Sequence, residues 1–190
     1  MKRTNVIIAA VVLLLTAIGS YNMGKSHGFS ANEVGGIDTI LVEDSNHHTR
    51  RLVTETLKKI GCQYEIDDGE DEAIHFAYQG EDFIILADDD SYFISILDPW
   101  WYRCEMTKGN LFNVMEAINA ANRKENHTRA CYGIDEEDNE IGVHTISRVL
   151  FTSDISDIDL YLRALLDEFF DMHRYVLNEI DKTEPASKTY

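Results

Sequence analysis

The chain has 190 residues, 44% of them hydrophobic and only two of them proline, so it carries enough apolar side chains to bury a core and does not belong with disordered chains. Acids outnumber bases 34 to 17, and the formal net charge is -17. Nucleic acid is thereby excluded as a partner: phosphate backbones need a lysine and arginine footprint, and the one short basic group, Arg50, Arg51, Lys58 and Lys59, alternates with Leu52, Val53, Leu57 and Ile60 as a solvated helix face does.

Lys2 and Arg3 precede an apolar run from Val6 to Leu15, extended past Thr16 by Ala17 and Ile18 and followed by Gly19, Ser20, Tyr21 and Asn22. A basic start, an apolar stretch of this length, and small residues at Ala17 and Gly19 describe a signal peptide over residues 1–20. As a helix this run spans about 20 Å against a hydrocarbon core of roughly 30 Å, so the second reading is an uncleaved membrane anchor lengthened by Tyr21 and Met23. No cysteine follows the run, which argues against a lipid anchor. Both readings predict export to the cell envelope (periplasm) or attachment to the cytoplasmic membrane. Residues 21–45 read as a flexible tether, since Gly24, Ser26, Gly28, Ser30, Gly35 and Gly36 fall in a stretch with little apolar content.

A domain is expected over residues 46–181. Its first helix runs from about His47 to Ile60, with Gly61 placed for a left-handed cap. Four short strands follow, Cys62–Ile66, Ala73–Tyr78, Phe83–Ala87 and Tyr92–Leu97, separated by the turns Asp67-Asp68-Gly69, Gln79-Gly80 and Asp88-Asp89-Asp90. Turns this short allow only antiparallel pairing, so the strands form a meander. Ile74, Phe76 and Tyr78 alternate along the second strand and give it one face that needs covering by helices. A second helix, capped by Asn110 and running to about Arg123, carries Leu111, Val114, Met115, Ile118 and Ala121 on one side. Two strands, His127–Gly133 and Glu140–Phe151, flank the acidic loop Asp135–Asn139. From Ser153 or Asp154 a long helix repeats Ile158, Leu162, Leu165, Leu166, Phe169, Val176, Leu177 and Ile180 through five or six turns, with Leu160, Tyr161 and Phe170 widening its apolar stripe. Residues 182–190 form a polar tail. The fold class is α+β: an antiparallel sheet meander packed against helices, closed by a long C-terminal helix.

Gly61, Tyr64-Glu65-Ile66-Asp67-Asp68-Gly69, Asp98-Pro99-Trp100, Ala117-Ile118-Asn119-Ala120-Ala121-Asn122 and the closing Leu162, Leu165, Leu166 and Phe169 come in an order that resembles the YbjN-like family, which shares the fold of type III secretion chaperones. The resemblance spans about Thr49 to Ile180. It implies a binding or chaperone-like α+β module without a catalytic site, and it supplies no active-site residue to carry over.

Chemistry is sparse. The acidic turns fail calcium-loop spacing: Gly69 is third in its loop, and a loop opened at Asp135 has Glu140 and Ile146 where glycine and a bidentate glutamate belong. The histidines, among them His47, His48, His75, His127, His144 and His173, show no i, i+4 pair and no cysteine partner at zinc spacing, so no metal or other cofactor is expected. His173 falls on the core side of the last helix. Cys62, Cys104 and Cys131 read as small buried hydrophobes, with one bridge and a leftover thiol as the other reading. Nucleophile elbow, phosphate loop and dinucleotide fingerprint are missing. The suggestive cluster is Pro99-Trp100-Trp101-Tyr102, in which proline is expected to end the strand. Its rings either fill the seam between sheet and helix or anchor a partner. Trp100, Trp101, Tyr102, Leu160, Tyr161 and Phe170 are therefore the candidate partner-binding residues, the last three also for a homodimer. The functional expectation is a non-catalytic protein-binding, chaperone-like or regulatory module with an unidentified protein partner. Its alternative is a small-ligand-binding protein or enzyme whose pocket forms only in the tertiary structure.

Overall fold

The computed structural model describes residues 48–67, 73–124 and 127–183. The leader, the tether, Asp68, Gly69 and the tail from residue 184 lie outside the described residues. Among the described residues no helix is long and apolar enough to cross a membrane.

The element order is α1 (Thr49–Ile60), β1 (Tyr64–Ile66), β2 (Ile74–Tyr78), β3 (Glu81–Ala87), β4 (Phe93–Glu105), α2 (Lys108–Ala121), β5 (Thr128–Asp135), β6 (Glu140–Leu150) and α3 (Ile158–Thr183). The strands form one antiparallel sheet in the order β1-β2-β3-β4-β6-β5. The expected α+β class, the antiparallel sheet roofed by helices and the long closing helix are all present.

Local chemistry accounts for most of the element ends. Gly61 stops α1 at φ 86°, a backbone conformation open to glycine, and lets its amide donate to the Lys58 carbonyl while Cys62 donates to that of Leu57. Arg163 of α3 donates to the Ile60 carbonyl at 2.8 Å, satisfying another orphan acceptor of the same helix end. Gln79 and Gly80, both at positive φ, make the tight β2–β3 turn. The N-cap of α2 is Thr107 rather than Asn110: its hydroxyl accepts from the Asn110 amide at 3.1 Å, leaving Asn110 inside the helix, where its side chain donates to the Glu105 carbonyl. Helix α3 begins at Ile158, some four residues later than expected, because Asp157 takes φ 51° and interrupts any helix reaching it from Ser153.

All three helices pack on one face of the sheet. Ile74, Phe76, Tyr78, Phe83, Ile85, Ile94 and Ile96 point to Val53 and Leu57 of α1 and to Leu162, Leu165, Leu166 and Phe169 of α3. The second half of α3, through Met172, Val176 and Ile180, joins Val114, Ala117, Ile118 and Ala121 of α2 over Ala130, Ile141 and Val143. One helix thus ties both halves of the core, and truncating a fully buried ring such as Phe169 to alanine would cost about 3–5 kcal/mol. Of the expected stripes, Met115 and Leu177 turn outward, each 39% exposed, and Ala117 takes the inward place on α2.

Strand β4 departs most from expectation, continuing through Pro99 to Glu105 instead of ending there. Its pairing with β6 jumps from Asp98↔Thr145 to Tyr102↔Val143, so three residues on β4 stand opposite one on β6. Pro99 is tolerated because it falls inside this bulge, where no ladder amide is required. At the far edge β5 pairs, among the described residues, only with β6. Part of its outer edge is closed by Asn122, whose side-chain amide donates to the Ala130 carbonyl and accepts from the Ala130 amide.

Candidate functional site

The bulge decides where the aromatic cluster goes. At φ 57° Trp100 occupies left-handed space rare for a bulky residue, and the turn sends Trp100 and Trp101 to opposite faces of the sheet. On the helix side, Trp101 stacks on His173 at 4.0 Å between ring centroids, and its indole nitrogen donates to the Thr145 hydroxyl at 3.0 Å. Phe170 meets the same imidazole edge-on at 5.7 Å. His173 Nε2 lies 3.1 Å from Asp98 Oδ2, a close polar contact between two buried side chains. Asp98 is 1% exposed and His173 8% exposed. Burial pushes the Asp98 carboxyl above the usual carboxylate range, while contact with His173 pulls it back down.

On the opposite face, the Trp100 indole lies flat on Gly142. A Cβ at that glycine would stand 1.7 Å from the ring, and its cross-strand partner Gly133 keeps the neighbouring space open. The Trp100 amide donates to His144 Nδ1 at 3.2 Å, so His144 is held neutral with its proton on Nε2. Burial, helped by the nearby Arg103 guanidinium, lowers the His144 imidazole from 6.5 to about 4. Arg103 itself sits 4.9 Å above the Trp100 ring and pairs with Glu140 at 3.3 Å. Trp100 Nε1 is buried with no hydrogen-bond partner among the described residues.

With the fold and this geometry in place, the chain can be set beside known proteins. Its structure is similar to that of YbjN. The likeness to YbjN from E. coli is at 12% identity over 68% of this chain and 89% of that one, with a TM-score of 0.46. An uncharacterized protein from Methanothermobacter thermautotrophicus is similar at 11% identity over 70% of this chain and 97% of that one, also with a TM-score of 0.46. No family model and no curated protein matches the chain.

The six candidate partner residues do not gather on one surface. Trp101 and Phe170 meet around His173, and Tyr102 is half-buried beside Trp101. Tyr161 packs near Phe151 and donates to the Leu150 carbonyl, Leu160 is 60% exposed on α3, and Trp100 sits across the sheet. Cys62, Cys104 and Cys131 are free thiols, each partly buried, and burial raises all three above the usual thiol range. Among the described residues no three histidine, cysteine or carboxylate side chains come together as a metal set.

Sequence reasoning missed Asp98, whose partner is 75 positions away, and the face of the sheet that carries no described helix. There Phe93 and Leu150 are register partners, 48% and 46% exposed. An alternating strand with apolar residues on both sides was the available signal: Phe93, Ser95 and Leu97 read as the back of a strand whose front is Ile94 and Ile96.

Proposed function

We propose that the domain is a non-catalytic protein-binding module, chaperone-like or regulatory, carried to the cell envelope or held at the cytoplasmic membrane by its N-terminal segment. The observation that carries the binding reading is the sheet face opposite the helices, where Phe93 and Leu150 expose apolar surface side by side and Trp100 is seated on Gly142 in a strained backbone conformation. Paired exposed apolar side chains on a rigid sheet are what a partner surface requires, because they cost little entropy to dock. Asp98 and His173, a buried acid and imidazole in contact, lie beneath Trp101 and Phe170 in the seam between sheet and α3, a place suited to holding the bulge rather than to meeting a substrate.

Affinity capture from membrane and periplasmic fractions, followed by mass spectrometry, tests both halves. A partner recovered by the native chain from those fractions supports the reading. Recovery of the intact leader-bearing chain in the cytosol alone would remove the envelope half, and no partner in any fraction would remove the binding half. The second reading, a small-ligand protein, is favoured by one cleft on the same face of the sheet.

A further inference from the structure

That cleft has a volume of about 530 Å³ and opens where the β3–β4 hairpin meets the start of α1. Leu86 and Phe93 give it apolar walls, and Ser91 and Ser95 line it with hydroxyls. Arg50 reaches it from α1, its position fixed by donation from Nη2 to the Ala87 carbonyl at 3.1 Å. Arg148 reaches it from β6, directly opposite Ser95 in the register.

Arg148 is the informative residue. Acids outnumber bases two to one, and several cations take carboxylate partners, among them Arg51 with Glu55, Lys59 with Asp159, Arg103 with Glu140 and Lys124 with Glu179. Arg148 has no carboxylate within ion-pair distance among the described residues, and its guanidinium rests 5.5 Å from the centroid of the half-exposed Phe93 ring. A guanidinium stacked on a ring keeps its hydrogen-bonding edge free for a planar anion. We infer that the cleft binds a small monocarboxylic acid with an aromatic or short apolar body, the carboxylate on Arg148 and the body on Phe93 and Leu86. The volume falls in the range of small-molecule sites. A single negative charge is favoured over a phosphate dianion because Asp88 also lines the cleft and the whole chain is strongly acidic. This site rests on the cleft's own residues and does not depend on the protein-binding reading.

Titration of phenylacetate into the purified ¹⁵N-labelled full chain tests it. Saturable shifts are expected at the amides of Phe93, Ser95 and Arg148, with phenylacetamide and inorganic phosphate each at least about tenfold weaker, since the amide carries no charge for Arg148 and phosphate has no apolar body to rest on Phe93 and Leu86 and brings a second charge toward Asp88. Arg148→Gln should weaken phenylacetate by at least about tenfold while its melting temperature stays with that of the native chain, and Arg148→Lys should recover part of the loss. Equal binding of acid and amide, equal binding of phosphate, an Arg148→Gln variant that binds as the native chain does, or no saturable shift with phenylacetate or hexanoate would each overturn the assignment.

Discussion

Replacing His173 by leucine leaves the Asp98 carboxylate, 1% exposed, against an apolar side chain of similar bulk in place of the ring that stands 3.1 Å away. Desolvating a carboxylate costs several kcal/mol, and breaking a buried pair by removing one partner is worth about 3–5 kcal/mol of stability. At roughly 3 °C per kcal/mol for a domain of this size, the melting temperature at pH 7 should fall by about 9–15 °C. The dependence on pH carries the sharper signature. Asp98 is an acid whose folded pKa is raised, so its contribution to stability is present in full below the unfolded value of about 3.9 and is lost as pH rises through the folded value. His173 limits that loss, and without it the loss deepens. The deficit of His173→Leu against the native chain should therefore be largest near pH 7 and shrink toward pH 4. Adding Asp98→Asn should return most of the lost stability, because the uncompensated charge is gone. Urea unfolding followed by far-UV circular dichroism at pH 4.5 and 7 measures all of this. A variant within about 1 kcal/mol of the native chain at pH 7, or a deficit unchanged across that range, would refute the assignment of a buried charge held by His173.

Other sites make separate predictions. His144, neutral in the fold and lowered to about 4, supplies stability that is present above the unfolded value of 6.5 and lost as pH falls toward 4, a loss of about 3 kcal/mol for this one group. His144→Gln, which keeps an acceptor for the Trp100 amide, should flatten the acid limb of a stability–pH curve, and an unchanged limb would count against it. Gly142→Ala places a methyl group inside the Trp100 ring, so it should cost about 3 kcal/mol or more and change the near-UV dichroism. Gly133→Ala, whose nearest contact is the His144 side chain at 2.9 Å, should cost less. All three thiols should alkylate without prior reduction when the chain is unfolded, and react slowly at pH 7 when it is native; mass spectrometry finding fewer than three adducts after unfolding would indicate a bridge.

Much of the fold could be read from periodicity, because helices and hairpins are specified by neighbours in the chain. The Leu162, Leu165, Leu166, Phe169 stripe, the Gly61 cap and the Gln79-Gly80 turn are all local signals, and each lies where its chemistry required. What could not be read depends on long-range pairing. Strand β6 inserts between β4 and β5, and only that pairing shows that β4 runs on past Pro99 through a bulge. The bulge then separates two adjacent tryptophans onto opposite faces, which sequence adjacency would never suggest. Thr107 overtook Asn110 as cap because both residue types suit the role and the choice depends on where β4 ends. Arg148 gave no signal alone: its meaning comes from Phe93, 55 positions away, and from having no carboxylate within ion-pair distance among the described residues.

The claim that the sheet face opposite the helices is the working surface can be tested by parallel capture with two double variants. Phe93→Ser with Leu150→Ser disrupts that face, and Phe112→Ser with Leu160→Ser removes the two most exposed apolar side chains of the helices. Quantified by mass spectrometry, with both variants shown to melt as the native chain does, partner recovery should fall at least about tenfold for the first pair and stay near native for the second. Loss through the helix variant with full recovery by the sheet variant would contradict the account.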